Sequence, residues 1–196
     1  MRPRDRLRAL LLERSVFLGE FTLSSGIRST YYVDARCTTL SAEGQALVGE
    51  VCLEAIRASG WEASHVGGLT MGADPVACAI ARASWDAGNP LDAFTVRKAA
   101  KTHGTGQRIE GGLPEGARCV VVEDAMTSGA STLEAVGAVL AHGASVVGIL
   151  TLVDREEGGR ERLLEAQGLP LVAVFTAEEL LEAAQSSSRS GITRQR

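Results

Sequence analysis

The chain lacks a long apolar run, a one-signed charge excess and closely spaced cysteines, and each absence removes a class of protein. Nothing approaches the ~18 consecutive apolar residues of a membrane span. The first residues, through Leu12, carry arginines but no sustained apolar stretch, so no signal peptide is expected. The net charge of −4 gives no bulk attraction to nucleic acid. The four cysteines, Cys37, Cys52, Cys78 and Cys119, have neither metal-ligand spacing nor the density of a secreted disulfide scaffold. Each lies in an apolar or small-residue run, so four buried free thiols and a cytoplasmic location are expected. There is no internal repeat and no dividing linker. One domain over residues 1–184 is expected, ending in a disordered Ser/Arg/Gln tail over 185–196. A chain of 196 residues, 45% hydrophobic, can build a sizeable core.

What is present is an alternation of strand and helix patterns. Leu7, Leu10 and Leu11 are spaced for an amphipathic helix over 3–14. Strands are expected at 17–23 and 31–35 around a Ser-Ser-Gly turn, and again at 65–67, 91–96, 118–122, 145–153 and 170–175. Helices are expected at 42–58, 75–85, 131–142, 159–167 and 177–184, with Pro75 suited to a first turn. Residues 98–112 are polar, Gly-rich and aperiodic, as in a mobile loop. This order implies an α/β protein with a central parallel sheet flanked by helices. Ligands of such sheets bind beyond the carboxyl ends of the strands, here the loops 67–74, 97–110 and 123–131.

The third loop carries the most chemistry. A buried-type strand, Cys119 to Val122, runs into two carboxylates, Glu123 and Asp124. Ala125, Met126 and a small-residue turn, Thr127-Ser128-Gly129-Ala130-Ser131, follow at the start of a helix. Backbone N–H groups in such a turn and helix N-terminus cradle a phosphate, and the hydroxyls of Thr127, Ser128, Ser131 and Thr132 can add donors. Carboxylates repel phosphate and suit ribose hydroxyls or a divalent metal instead. Together they imply a ribose 5-phosphate ligand. Capping alone would explain a lone Ser/Thr-rich turn, but the whole string is more specific. It resembles the motif with which type I phosphoribosyltransferases bind 5-phosphoribosyl 1-pyrophosphate (PRPP).

A second cluster, Arg97, Lys98, Lys101 and His103, follows the strand at 91–96 and runs into Gly104 and Gly106. Such a run is often only a solvated surface. A one-signed cluster at a strand end, beside glycines that allow hinge motion, also suits a lid over pyrophosphate. Arg97-Lys98-x-x-Lys101-x-His103-Gly104 is similar to the catalytic-loop signature of the orotate phosphoribosyltransferases. Phe21 through Asp34 resembles that family's N-terminal hairpin, and Asp154-Arg155 resembles its late orotate-binding pair. The resemblance spans roughly residues 5–180, with the motifs in order. Two places depart from it: Ser24 stands where the family often has Lys, and Met71-Gly72 where some members carry Tyr-Lys.

The resemblance implies a type I phosphoribosyltransferase fold with a small N-terminal hood, residues 1–40. It implies Mg²⁺-dependent transfer of the 5-phosphoribosyl group from PRPP to orotate, in pyrimidine biosynthesis, by a homodimer with shared sites. A PRPP-binding regulator and a transferase for another base are the alternatives. The implied roles are catalysis by Lys101 and Asp124, and pyrophosphate binding by Arg97, Lys98, Lys101 and His103. Glu123 and Asp124 face the ribose and possible metal, Ala125 and Met126 continue the PRPP-binding run, residues 127–131 hold the 5-phosphate, and Thr127 lies nearest the base. Arg155 binds orotate, with Arg28, Tyr32 and Val33 beside it. Mg²⁺ would be held mainly through PRPP. No nucleic acid or membrane partner is expected.

Overall fold

The computed structural model describes residues 1–22, 28–99 and 108–189. Helix α1 (Pro3–Arg14) leads into an antiparallel hairpin, β1 (Val16–Thr22) and β2 (Arg28–Val33). A short helix, α2 (Arg36–Thr39), precedes α3 (Ala42–Ala58). The remaining elements alternate: β3 (His65–Leu69), α4 (Ala73–Asp86), β4 (Asp92–Val96), β5 (Ile109–Glu110), β6 (Arg118–Met126), α5 (Ala130–Ala141), β7 (Ser145–Asp154), α6 (Gly159–Gln167), β8 (Leu171–Thr176) and α7 (Ala177–Arg189). Strands β3 to β8 form one six-stranded sheet in the order β5-β4-β3-β6-β7-β8. Every pairing in it is parallel except β4 with β5.

The expected α/β architecture is therefore present, and its apolar pattern explains it. Val120 and Val122 on β6 and Leu150 and Leu152 on β7 pack on one face with Val48, Val51 and Ile56 of α3, Ile80 of α4 and Leu7 of α1. Cys119, Val121 and Ile149 point to the other face and pack with Ala135, Val136 and Val139 of α5 and Leu163 of α6. A strand buried on both faces reads as a continuous apolar run, because alternate side chains enter two different cores. At the start of α3, Ser41 accepts the Gly44 N–H at 3.1 Å, a side-chain cap on an otherwise unsatisfied donor.

Several boundaries differ from the sequence reading. β6 continues to Met126 instead of ending at Val122, because β7 is long enough to pair with Glu123, Ala125 and Met126. The carboxylate pair consequently lies on a strand. Residues 109–110, expected within a loop, add a short strand to the free edge of β4. Residues 34–35 leave β2 for a turn into α2, an element without sequence signal of its own. α7 runs to Arg189, since Ala183 and Ala184 favour helix and no breaker follows them; residues 190–196 lie outside the described residues. The thiols also divide. Cys52 and Cys119 are buried, and burial pushes them up to about 12 and about 11 respectively. Cys37 and Cys78 are exposed on the outer sides of α2 and α4, contrary to expectation.

Candidate active site

The carboxyl ends of β3, β4, β6 and β7 meet at one end of the sheet, as all four strands run parallel. Pleat alternation sends the two β6 carboxylates apart. Glu123 faces α5, where buried Thr132 donates its hydroxyl to Oε2 at 3.0 Å. The Thr132 hydroxyl, whose position in the motif had suggested a phosphate donor, is thus directed at the carboxylate. Asp124 faces the opposite side and lies against Gly72, where a Cβ would come within 2.3 Å of Oδ1.

The turn after β6 is built for close approach. Gly129 caps α5 at φ 70°, and a Cβ there would meet the Gly159 carbonyl at 3.1 Å and Leu163 at 3.2 Å. Both conformation and space demand glycine. The hydroxyl-bearing residues on its rim, Ser128 and Ser131, are exposed, and Thr127 is half-buried. The free N–H groups of the first turn of α5 open onto the same space.

β7 delivers Asp154 and Arg155 beside this turn, where the Arg155 N–H bonds the Met126 carbonyl at 2.9 Å. Asp154 is buried, accepts the Glu156 N–H at 2.9 Å and pairs with Arg160 at 3.3 Å, so it shapes the turn. Arg155 is 7% exposed, with its guanidinium 5.4 Å from the Tyr31 ring centroid. Nη2 lies 2.8 Å from Glu157 Oε1, but Nε and Nη2 lack a well-directed hydrogen bond. Buried guanidinium donors left in this state suit an incoming carboxylate.

The hairpin contributes differently from expectation. Tyr31, absent from the expected contacts, is the residue over Arg155. Tyr32 points the other way and packs on Phe17 and Phe21 at 6.5 and 5.8 Å. Period-2 alternation was the signal that separates the two tyrosines. Val33 is buried in the core, and Arg28 is exposed at the start of β2.

Residues 42–169 match the model of the phosphoribosyl transferase domain family. The orotate phosphoribosyltransferase of Streptomyces avermitilis is 47% identical over 180 residues, covering 90% of this chain and 98% of that protein. That of Aquifex aeolicus is 44% identical over 184 residues, covering 92% and 99%. The crystal structure of Mycobacterium tuberculosis H37Rv orotate phosphoribosyltransferase in complex with PRPP superposes with a TM-score of 0.77 at 43% identity, over 91% of this chain and 99% of that one. The chain belongs to the orotate phosphoribosyltransferase family.

In this member of the orotate phosphoribosyltransferase family the departure at Gly72 has a physical reason. The Asp124 carboxylate fills the space that a side chain at position 72 would need. The loop is held from below by Asp74, whose Oδ2 accepts the Thr70 hydroxyl at 2.6 Å and whose Oδ1 accepts the Thr95 hydroxyl at 2.9 Å. Arg97 and Lys98 are exposed at the end of β4, and Arg97 lies 3.6 Å from Glu110. Arg108, which sequence reasoning passed over, holds the base of this loop by donating to the Arg97 carbonyl at 2.9 and 3.1 Å and by bonding Glu134. Lys101 and His103 lie outside the described residues.

Electrostatics marks the carboxylate pair. Burial, and then the Asp124 charge, push Glu123 up to about 7, although the Thr132 hydroxyl draws it down. Burial also raises Asp124, opposed by the Ala125 N–H and by Arg36. Arg36 is itself held by Asp34 through contacts of 2.8 and 3.1 Å. Among the described residues no group of three or more His, Cys, Asp or Glu side chains could hold a metal ion.

Proposed function

We propose that the chain transfers the 5-phosphoribosyl group of PRPP to N1 of orotate, releasing pyrophosphate and forming orotidine 5′-monophosphate. The observation that carries this reading is the convergence of three features at one sheet end. These are a phosphate-type turn at Thr127–Gly129, a desolvated carboxylate pair, and Arg155 with unsatisfied donors. In the reaction the C1′–O bond to pyrophosphate breaks and the C1′–N1 bond forms. The turn and first helical turn of α5 hold the 5-phosphate. Glu123 and Asp124 accept from the ribose hydroxyls and face the positive charge that develops on the sugar. Arg155 pairs with the orotate carboxylate, with Tyr31 packed on its guanidinium. Backbone N–H groups at 71–73, with Arg97, Lys98, Lys101 and His103, receive the departing pyrophosphate.

Mg²⁺ fits this end of the sheet as an ion held mainly through PRPP. Glu123 and Asp124 are half-buried and leave β6 on opposite faces, so at most one of them would join PRPP and water oxygens around the ion. Bound there, it would neutralise charge on the leaving group. The homodimer with shared sites and the cytoplasmic location remain part of this proposal. The latter is supported by four free cysteines and by the lack, among the described residues, of a helix long and apolar enough to cross a membrane.

The test is pyrophosphate release from PRPP with each candidate base in turn. Orotate alone should support release. Release with a purine base in its place would make the chain a transferase for another base, and PRPP binding without release would make it a regulator.

A further inference from the structure

Two segments receive pyrophosphate in the reading above, the loop at 70–72 and the residues that follow β4. One carboxylate touches the base of both. Asp74 accepts from Thr70, the residue just before Met71-Gly72, and from Thr95, which precedes Val96 and Arg97. A backbone bond completes the triangle, from Thr70 N–H to the Val96 carbonyl at 2.8 Å. The loop so fixed presses Gly72 on Asp124, on the ribose side of the site.

We propose that Asp74 is a positioning residue that sets the pyrophosphate loop and the base of the basic loop in one fixed relation. It acts through Thr70 and Thr95 and does not itself touch substrate. The inference rests on the function proposed above. The chemistry suits the task. A carboxylate accepts two hydroxyl donors at once, one just past the end of β3 and one on β4, and such charge-assisted bonds are short and strong. A pyrophosphate held mainly by backbone N–H groups depends on loop shape more than one held by flexible lysines, because the donors cannot reorient singly. With glycine at 72, shape is what this loop has to offer. A competing role is available, since an acidic residue in the first turn of α4 also favours the helix dipole. That role uses neither threonine.

The experiment compares Asp74→Ala, Asp74→Asn, Thr70→Val and Thr95→Val. Pyrophosphate affinity is read by calorimetry on the free enzyme and by product inhibition. KM for PRPP, KM for orotate and melting temperature are read beside it. Asp74→Ala should weaken pyrophosphate by about tenfold or more, the scale expected for lost bonds to a charged group. KM for orotate should stay within about twofold. Thr70→Val should reproduce much of the loss, and the Asp74→Ala/Thr70→Val pair should add little, since the same link is already broken. Asp74→Asn should recover most of the affinity, because a threonine hydroxyl can turn to accept from the amide. Unchanged pyrophosphate affinity with a lowered melting temperature would reduce Asp74 to a helix-end residue and overturn the proposal. Equal weakening of pyrophosphate and orotate would overturn it as well. Calorimetry reads pyrophosphate even if orotate is not the acceptor, so a wild-type enzyme inactive with orotate would count against the parent reading alone.

Discussion

At the scale of single residues, the carboxylate pair carries a pH signature. Glu123 has a folded pKa of about 7, above the ordinary 4.5. As pH rises from about 4.5, the unfolded chain gives up this proton before the folded protein does. Stability is therefore full below the unfolded pKa and falls as pH climbs towards 7, by roughly 3 kcal/mol at most. Glu123→Gln removes the effect. Urea unfolding of the free protein at pH 5 and pH 8 should show the variant gaining on the wild type as pH rises, and a constant difference would remove the raised pKa. The ionised form suits ribose and metal, so KM for PRPP should rise as pH falls below about 7. Asp124→Asn should cut turnover by about a hundredfold or more. It should also raise the melting temperature of the free protein, because it relieves repulsion inside a strand instead of trimming an exposed loop. For Arg155→Ala, KM for orotate should rise about tenfold or more with the KM for PRPP largely kept. The Glu157 pair that its sequence neighbours suggest is formed at 2.8 Å, but on a buried guanidinium, so the small worth of an exposed surface pair does not describe it. Loss of both substrates equally would count against a base-side role.

At the scale of elements, the turn between β6 and α5 is where local backbone and function meet. Gly129→Ala meets a positive φ and the Gly159 carbonyl at once. It should cost about 1–3 kcal/mol of stability and raise KM for PRPP, while leaving orotate affinity in the ternary complex less affected. Denaturant melts together with substrate kinetics check both parts. A variant with normal stability and normal KM would show that this turn does not depend on the αL cap. The hairpin shows the same link between element and chemistry. Alternation along β2 gives Tyr31 to Arg155 and Tyr32 to the aromatic cluster of the hood.

At the scale of the whole molecule, the proposed homodimer makes the completeness of the site a property of two chains. Lys101 lies outside the described residues, and its role rests on the resemblance of the Arg97–Gly104 run. Lys101→Ala should lower kcat far more than it alters the melting temperature, as its charge acts only in a closed, water-poor site. In a dimer with shared sites, mixing Lys101→Ala with Asp124→Asn subunits rebuilds one intact site per mixed dimer. Activity should then recover towards half that of a normal dimer. No recovery, with mixed dimers verified by native mass, would mean that Lys101 serves its own subunit.

The sequence by itself determined the class of fold and the order of its main strands and helices, apart from α2 and β5, and it marked the residues on which the proposed chemistry rests, because these depend on local pattern. Apolar periodicity marked the helices and the doubly buried strands. Carboxylates followed by a small-residue turn marked a ribose-phosphate binder, since few residue types can perform that task. Tertiary structure decided what depends on partners distant in the chain. The length of β7 drew Glu123 and Asp124 into β6. Thr132 went to Glu123 because α5 folds back along that face, and Gly72 met Asp124 because β3 and β6 are neighbours in the sheet. Asp74 offered no motif, and only the adjacency of β3 and β4 set two threonine hydroxyls on its carboxylate. Burial followed the same rule. Cys52 and Cys119 sit beneath packed elements while Cys37 and Cys78 face outward, because which side of a helix is covered depends on what packs against it.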